Sequence, residues 1–151
     1  MKPLAAALGT GPGAARGFYK EPTTIESRDL AIALARVAAE NRCRDVTVLD
    51  LSGESPVTDY FVIATGTSAR QMRSVVARMD DFVRSHRDVT ALGREGMDSD
   101  RWALLDLVDV VVHVFAPDAR TFYALEMLWG DVPEVDWQTG WTPLRAADST
   151  E

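Results

Sequence analysis

Groups able to carry covalent chemistry are scarce in this chain. It has one cysteine, Cys43, and two histidines, His86 and His113, far apart in sequence. A lone cysteine cannot close an internal disulfide, so a reducing, cytoplasmic setting is expected. Cys43 falls at the polar end of a predicted helix with no basic partner arrangement, which favours a structural role over a nucleophilic one. CxxC and HExxH metal motifs are absent, and so is the GxxxxGK[ST] phosphate loop. Cations are also in deficit: Lys and Arg number 16 against 23 Asp and Glu, a net charge of −7. Nucleic-acid binders gain affinity by neutralising phosphates with cations, so this balance argues against a general RNA or DNA binder. No apolar run approaches the roughly 20 residues that span a bilayer. Leu4–Leu8 is too short for a signal-peptide core, with only Lys2 ahead of it, so neither a membrane segment nor a signal peptide is expected.

What is present suits one globular domain: 151 residues, of which 46% are hydrophobic. Residues 1–26 are rich in Gly, Ala and Pro without an apolar period and are expected to be a flexible tail. Ser27 is a candidate helix N-cap, with Asp29 in the first turn and Leu30, Leu34, Val37 and Ala38 forming an apolar stripe to about Arg42. Val46–Leu51 and Tyr60–Ala64 are short, β-branched and aromatic, and read as strands separated by a Gly53–Pro56 loop. Gly66-Thr67-Ser68 breaks the second strand and opens a helix. Ser68 and Gln71 have capping-box spacing, and Met72, Val75, Val76, Met79, Phe82 and Val83 form one apolar face to near His86. Arg70, Arg73, Arg78 and Arg84 lie off that face, as solvated side chains do.

Ala91–Gly93 is a short strand candidate. Trp102–Leu107 and Val110–Phe115 follow as a hairpin around Val108-Asp109. In that register Leu107 faces Val110, Asp106 faces Val111, and Leu104 faces His113. Alternation then puts Ala103, Leu105, Leu107, Val110, Val112 and Val114 on one wholly apolar face. The other face carries Trp102, Leu104, Asp106, Val111, His113 and Phe115, a mixture typical of interfaces. His113 has two readings here: part of that surface, or buried and satisfied by Asp106 or the backbone. Trp102, at the strand start, is expected to be partly exposed. A third helix starts at Pro117-Asp118, takes its apolar period from Phe122, Leu125, Leu128 and Trp129, and stops at Gly130. Residues 131–151 form an acidic tail in which Trp137 and Trp141 are expected to dock on the domain, since a free tail seldom keeps two Trp exposed.

Several ordered blocks carry a resemblance. TDYFVIATGTSARQ (Thr58–Gln71), LGREG (Leu92–Gly96), W..LD..DVVVHVF (Trp102–Phe115) and R..YALE.LW (Arg120–Trp129) together resemble the ribosomal silencing factor, or Iojap, family. The likeness runs from about Ser27 to Trp129. It implies an α/β domain over residues 27–130, with a mixed β-sheet and helices mainly on one face. That fold is nucleotidyltransferase-like without the catalytic residues. The family implies a translational repressor that is not an enzyme and needs no cofactor or metal. Such proteins dock on the joining face of the large ribosomal subunit through one basic protein, with little RNA contact, and sterically exclude the small subunit. On the family pattern the contact residues are Trp102, Leu104, Asp106, His113 and Tyr123, with Glu95 and Asp100 at the rim. Homodimers are frequent among its members. The family often has Gly where this chain has Val108. A β-branched residue resists positive φ, which predicts a longer or differently shaped hairpin turn.

Two other functions compete. A nucleotidyltransferase-like enzyme could hold a phosphate at Gly66–Ser68, at a helix N-terminus. It would need paired acidic metal ligands beside that turn, and Asp50, Asp59, Asp106 and Asp109 lack the spacing. The other competitor is a large-subunit assembly factor using the same hairpin surface.

Overall fold

The computed structural model describes residues 25–86 and 88–142. The expected tail before residue 25 lies outside them. Helix α1 spans Ser27–Glu40, strands β1 and β2 span Arg44–Asp50 and Tyr60–Thr65, and helix α2 spans Ala69–Arg84. Strands β3 (Gly93–Glu95), β4 (Trp102–Asp106) and β5 (Val110–Phe115) follow, then two short helices, α3 (Pro117–Tyr123) and α4 (Leu125–Leu128). The five strands form one mixed sheet in the order β1-β2-β5-β4-β3, with β2 and β5 parallel and the other neighbours antiparallel.

One face of this sheet is sealed. Val48, Val62, Ala64, Ala103, Leu105, Val112 and Val114 meet Leu30, Leu34 and Ala38 of α1 and Met72, Val75, Val76 and Met79 of α2 in one buried cluster. Alternation along each strand selects these side chains, and the helix stripes match them. The glycine at 66 lets α2 approach: a Cβ there would lie 2.3 Å from Met72 Cγ. Ser68 Oγ accepts from Gln71 N–H at 3.0 Å, and Gln71 Oε1 accepts from Thr67 N–H at 3.0 Å. The capping pair predicted from sequence therefore forms, and it occupies donors that an anion at this turn would use. Cys43 is buried beside Gln71, and burial pushes its thiol pKa up, away from reactive thiolate.

The opposite face is only partly covered. Leu49, Leu51, Ile63, Phe115 and Ala119 are its buried centre, with Phe61, Leu125, Trp129 and Val132 around them. Arg120 bolts α3 and α4 there. Its guanidinium donates to Thr65 Oγ1 at 2.9 Å, to Thr47 Oγ1 at 3.3 Å, to the Asp45 carbonyl and to the Glu126 carboxylate.

Four local expectations need correction. The N-cap of α1 is Glu26, with no side-chain cap bond; Ser27 Oγ instead reaches Asp109 Oδ2 at 3.5 Å. β3 lies two residues beyond the Ala91–Gly93 candidate, because its pairing with β4 sets Gly93 opposite Asp106 and Glu95 opposite Leu104. The third helix is broken at Ala124, which adopts φ +49°, so Phe122 and Leu128 face solvent while Leu125 and Trp129 pack inward. The hairpin turn is not lengthened: Val108 takes φ +74° itself, and the Leu107 carbonyl accepts from Asp109 N–H at 2.9 Å. That is a three-residue γ-type turn, and Asp106 Oδ1 braces it by accepting from Val108 N–H at 2.9 Å.

Residues 131–142 continue the fold. Val135 N–H donates to the Val48 carbonyl at 2.8 Å and Asp50 N–H to the Pro133 carbonyl at 2.9 Å, covering the edge of β1. Trp137 is buried and donates from Nε1 to the Val46 carbonyl at 3.1 Å, while Trp141 donates to Glu40 Oε2 at 3.0 Å. Both tryptophans dock, as expected from their composition.

Candidate functional site

The hairpin register is the predicted one: Leu104 pairs with His113 and Asp106 with Val111. Cross-strand rows then fix which side chains share the partly covered face. Glu95, Leu104, His113 and Ile63 form one row across β3, β4, β5 and β2. Trp102 and Phe115 belong to the next row. Helices α3 and α4 cover the β1, β2 and β5 side of this face. The β4 and β3 side stays open, with Trp102, Leu104 and Asp106 half-buried and Glu95 exposed.

An aromatic slab runs under and through this opening. The Trp102 ring lies 4.6 Å from Tyr123 and 4.9 Å from Phe115, centroid to centroid. Tyr123 is 40% exposed and meets Phe122 edge-on at 5.0 Å; Phe122 is 75% exposed. The break at Ala124 leaves Met127 and Leu128 exposed next in sequence. Phe122, Tyr123, Met127 and Leu128 thus gather exposed large apolar side chains around the helix break, while Val57, Leu92 and Val108 are exposed elsewhere. Rings of this kind bring large contact area at low side-chain entropy.

Carboxylates frame the slab. Glu95, Asp98 and Asp100 are exposed on β3 and the loop after it. Gly96 holds that loop against the hairpin at φ +76°, where a Cβ would lie 2.0 Å from the Trp102 carbonyl. Asp118 pairs with Arg101 at 2.7 Å, and that bond lowers the carboxyl pKa and raises the guanidinium's. Arg94 pairs with the buried Asp80 at 2.8 Å.

The structure brings Trp102, Leu104, Asp106, Tyr123 and Glu95 to one side of the sheet. His113 is the exception among the residues named from sequence. It is 5% exposed and cannot be a surface contact. Neither Asp106 nor the backbone satisfies it: Trp102 Nε1–H donates to its Nδ1 at 3.2 Å, and its Nε2 has no partner among the described residues. Desolvation lowers its pKa from 6.5 to about 4, so the ring is neutral at physiological pH. Sequence reasoning missed Arg120 altogether. Its signal was available in the spacing to Glu126 within R..YALE, but a helical reading of that stretch hid it.

No group of three or more His, Cys, Asp or Glu able to hold a metal occurs among the described residues. No helix among them is long and apolar enough to cross a membrane. A separate open groove, lined by Asp29, Ile32, Arg36 and Trp141 among others, shares no residue with the aromatic slab.

Comparison with known proteins places the chain. Residues 24–151 match the family model described as "Ribosomal silencing factor during starvation". The chain is 41% identical over 106 residues to the ribosomal silencing factor RsfS of Bacillus subtilis, covering 70% of this chain and 89% of that protein. It is 34% identical over 104 residues to the mouse "Mitochondrial assembly of ribosomal large subunit protein 1", covering 67% of this chain and 44% of that longer protein. A crystal structure of a Chromobacterium violaceum protein superposes with a TM-score of 0.66 at 29% identity, over 78% of this chain and all of that one. The chain belongs to the ribosomal silencing factor family.

Proposed function

We propose that this protein represses translation by occupying the joining face of the large ribosomal subunit, where it sterically excludes the small subunit. No bond is made or broken; the mechanism is competition for a surface. The observation that carries the reading is the half-open sheet face, where the tilted rings of Trp102 and Tyr123 meet at 4.6 Å beside exposed carboxylates. Aromatic anchors dominate the energetics of protein interfaces, and a charged rim steers encounter. A net charge of −7 favours a basic ribosomal protein over RNA as the direct contact. Trp102, Leu104 and Tyr123 would form the apolar centre, with Asp106 and Glu95 facing cations of the partner at the edge.

The printed name of the mouse relative supports a second reading, in which the same face assists assembly of the large subunit. Sedimentation of the purified protein with separated ribosomal subunits tests the first. The wild type should travel with the large subunit and keep the small one from joining it, whereas Trp102→Ala should remain at the top of the gradient. Equal binding by both would remove Trp102 from the contact. Binding of the wild type without exclusion of the small subunit would favour the assembly reading.

A further inference from the structure

Beneath the open face lies a buried polar group that the proposed docking does not use. His113 stands in the middle of β5, 5% exposed, with Phe61 edge-on at 4.5 Å and Phe115 stacked at 6.0 Å. Burying an imidazole among aromatic rings costs free energy, and leaving one of its nitrogens unpaired costs more. A Val or Phe would fill the place more cheaply. What the imidazole adds is a lone pair: Nδ1 accepts the Trp102 indole N–H at 3.2 Å. An accepting Nδ1 requires that the ring proton of the neutral imidazole sit on Nε2. That nitrogen is the sealed one without a hydrogen-bond partner among the described residues. The tautomer that holds Trp102 is thus the one that leaves the buried N–H unsatisfied.

The bond matters because of where Trp102 stands. Tilted contacts with Phe115 and Tyr123, at 33° and 45° between ring planes, confine the indole, but such ring contacts are weakly directional. A hydrogen bond from Nε1 fixes which edge points into the protein and which edge is offered outward. We propose that His113 is the positioning residue of this surface, a neutral acceptor that locks the Trp102 indole in the orientation presented to the partner. This inference rests on the docking reading for its consequence, though not for the bond itself.

The wild-type protein gives the first test. In a long-range proton–nitrogen NMR spectrum at neutral pH, His113 should appear as the Nε2–H tautomer, and the Trp102 indole N–H should exchange slowly with solvent. An Nδ1–H tautomer would overturn the proposal without any variant being made. His113→Phe keeps an aromatic ring of similar size but no acceptor, so the exposed indole N–H should turn to water. Its exchange should speed by roughly three- to tenfold, the worth of one net hydrogen bond, and binding to the large subunit should weaken by a similar factor. His113→Asn places an amide oxygen near the Nδ1 position and should restore both. Unchanged indole exchange in His113→Phe contradicts the positioning role. Faster exchange with unchanged subunit binding upholds the lock and removes Trp102 from the docking contact, so the two failures are distinguishable.

Discussion

The two faces of the sheet are built from the same strands and do opposite work. On the α1 and α2 side, alternate residues of β2, β4 and β5 are aliphatic and fully enclosed. On the other side, the intervening residues mix aliphatic side chains (Ile63, Leu104, Val111) with aromatic and polar ones (Phe61, Trp102, Asp106, His113, Phe115), and helices cover only the β1, β2 and β5 half. Aliphatic side chains pack to crystal-like density and leave nothing for a partner to read. Rings carrying an N–H or O–H at one edge can be half-buried without penalty, which is what a docking surface needs. On the proposed docking, one strand serves stability and recognition at once, residue by residue, because its two sides never share a side chain.

Substitutions should divide along that line. The largest loss of stability is expected on the sealed side. Leu105→Ala should cost about 3 kcal/mol in denaturant unfolding through lost burial and a residual cavity, with subunit binding intact in the fraction that stays folded. On the covered half of the other side, Arg120→Ala should cost a similar amount, about 3 kcal/mol, because it strands Thr47, Thr65 and Glu126 together. Arg120→Ala should also loosen Tyr123, seen as a change in its ring environment in aromatic NMR or near-ultraviolet circular dichroism. If Leu105→Ala abolished binding in folded protein, the division between faces would be wrong.

The pH dependence sharpens the same comparison. His113 is charged more readily in the unfolded chain than in the folded one, with its pKa lowered from 6.5 to about 4 by desolvation. The unfolded state therefore binds more protons between those values, and stability falls as pH drops through the window. The loss should reach about 3 kcal/mol near pH 4 and be absent above pH 7. A stability–pH curve of wild type beside His113→Phe isolates it: the two should run parallel above pH 7 and separate towards pH 4, the wild type losing stability that His113→Phe keeps.

Much of this was readable from sequence, for reasons that individual residues make plain. The strict alternation in Ala103–Leu107 and Val110–Val114 set both the hairpin and its register, because a slip by one residue would bury Asp106. Ser68 and Gln71 announced α2 through a local cap that tertiary packing did not disturb. The break at Ala124 was hidden, because nothing in YALEMLW forbids a continuous helix. Arg120, four residues before the break, is tied to β1 and β2 by bonds that the local sequence does not show. His113 was ambiguous for a related reason: alternation placed Phe115 beside it, but Phe61 reaches it through the parallel β2–β5 pairing, which periodicity does not show. The turn at Val108 was judged by residue preference, and the chain accepts the strain.

That strain gives the smallest effect. A β-branched residue at φ +74° is costly, so Val108→Gly should raise stability by about 1 kcal/mol, read as a shift in the denaturant midpoint. It should leave subunit binding unchanged, since the side chain at 108 belongs to neither aromatic slab nor carboxylate frame.

On the proposed function, the half-open face, and not the fold as a whole, keeps the ribosomal subunits apart. Light scattering during association of purified small and large subunits reads it directly, with wild type, Trp102→Ala and Leu105→Ala added at equal folded concentrations. The account predicts that wild type and Leu105→Ala suppress association and that Trp102→Ala, folded by circular dichroism, does not. Full suppression by Trp102→Ala would contradict it.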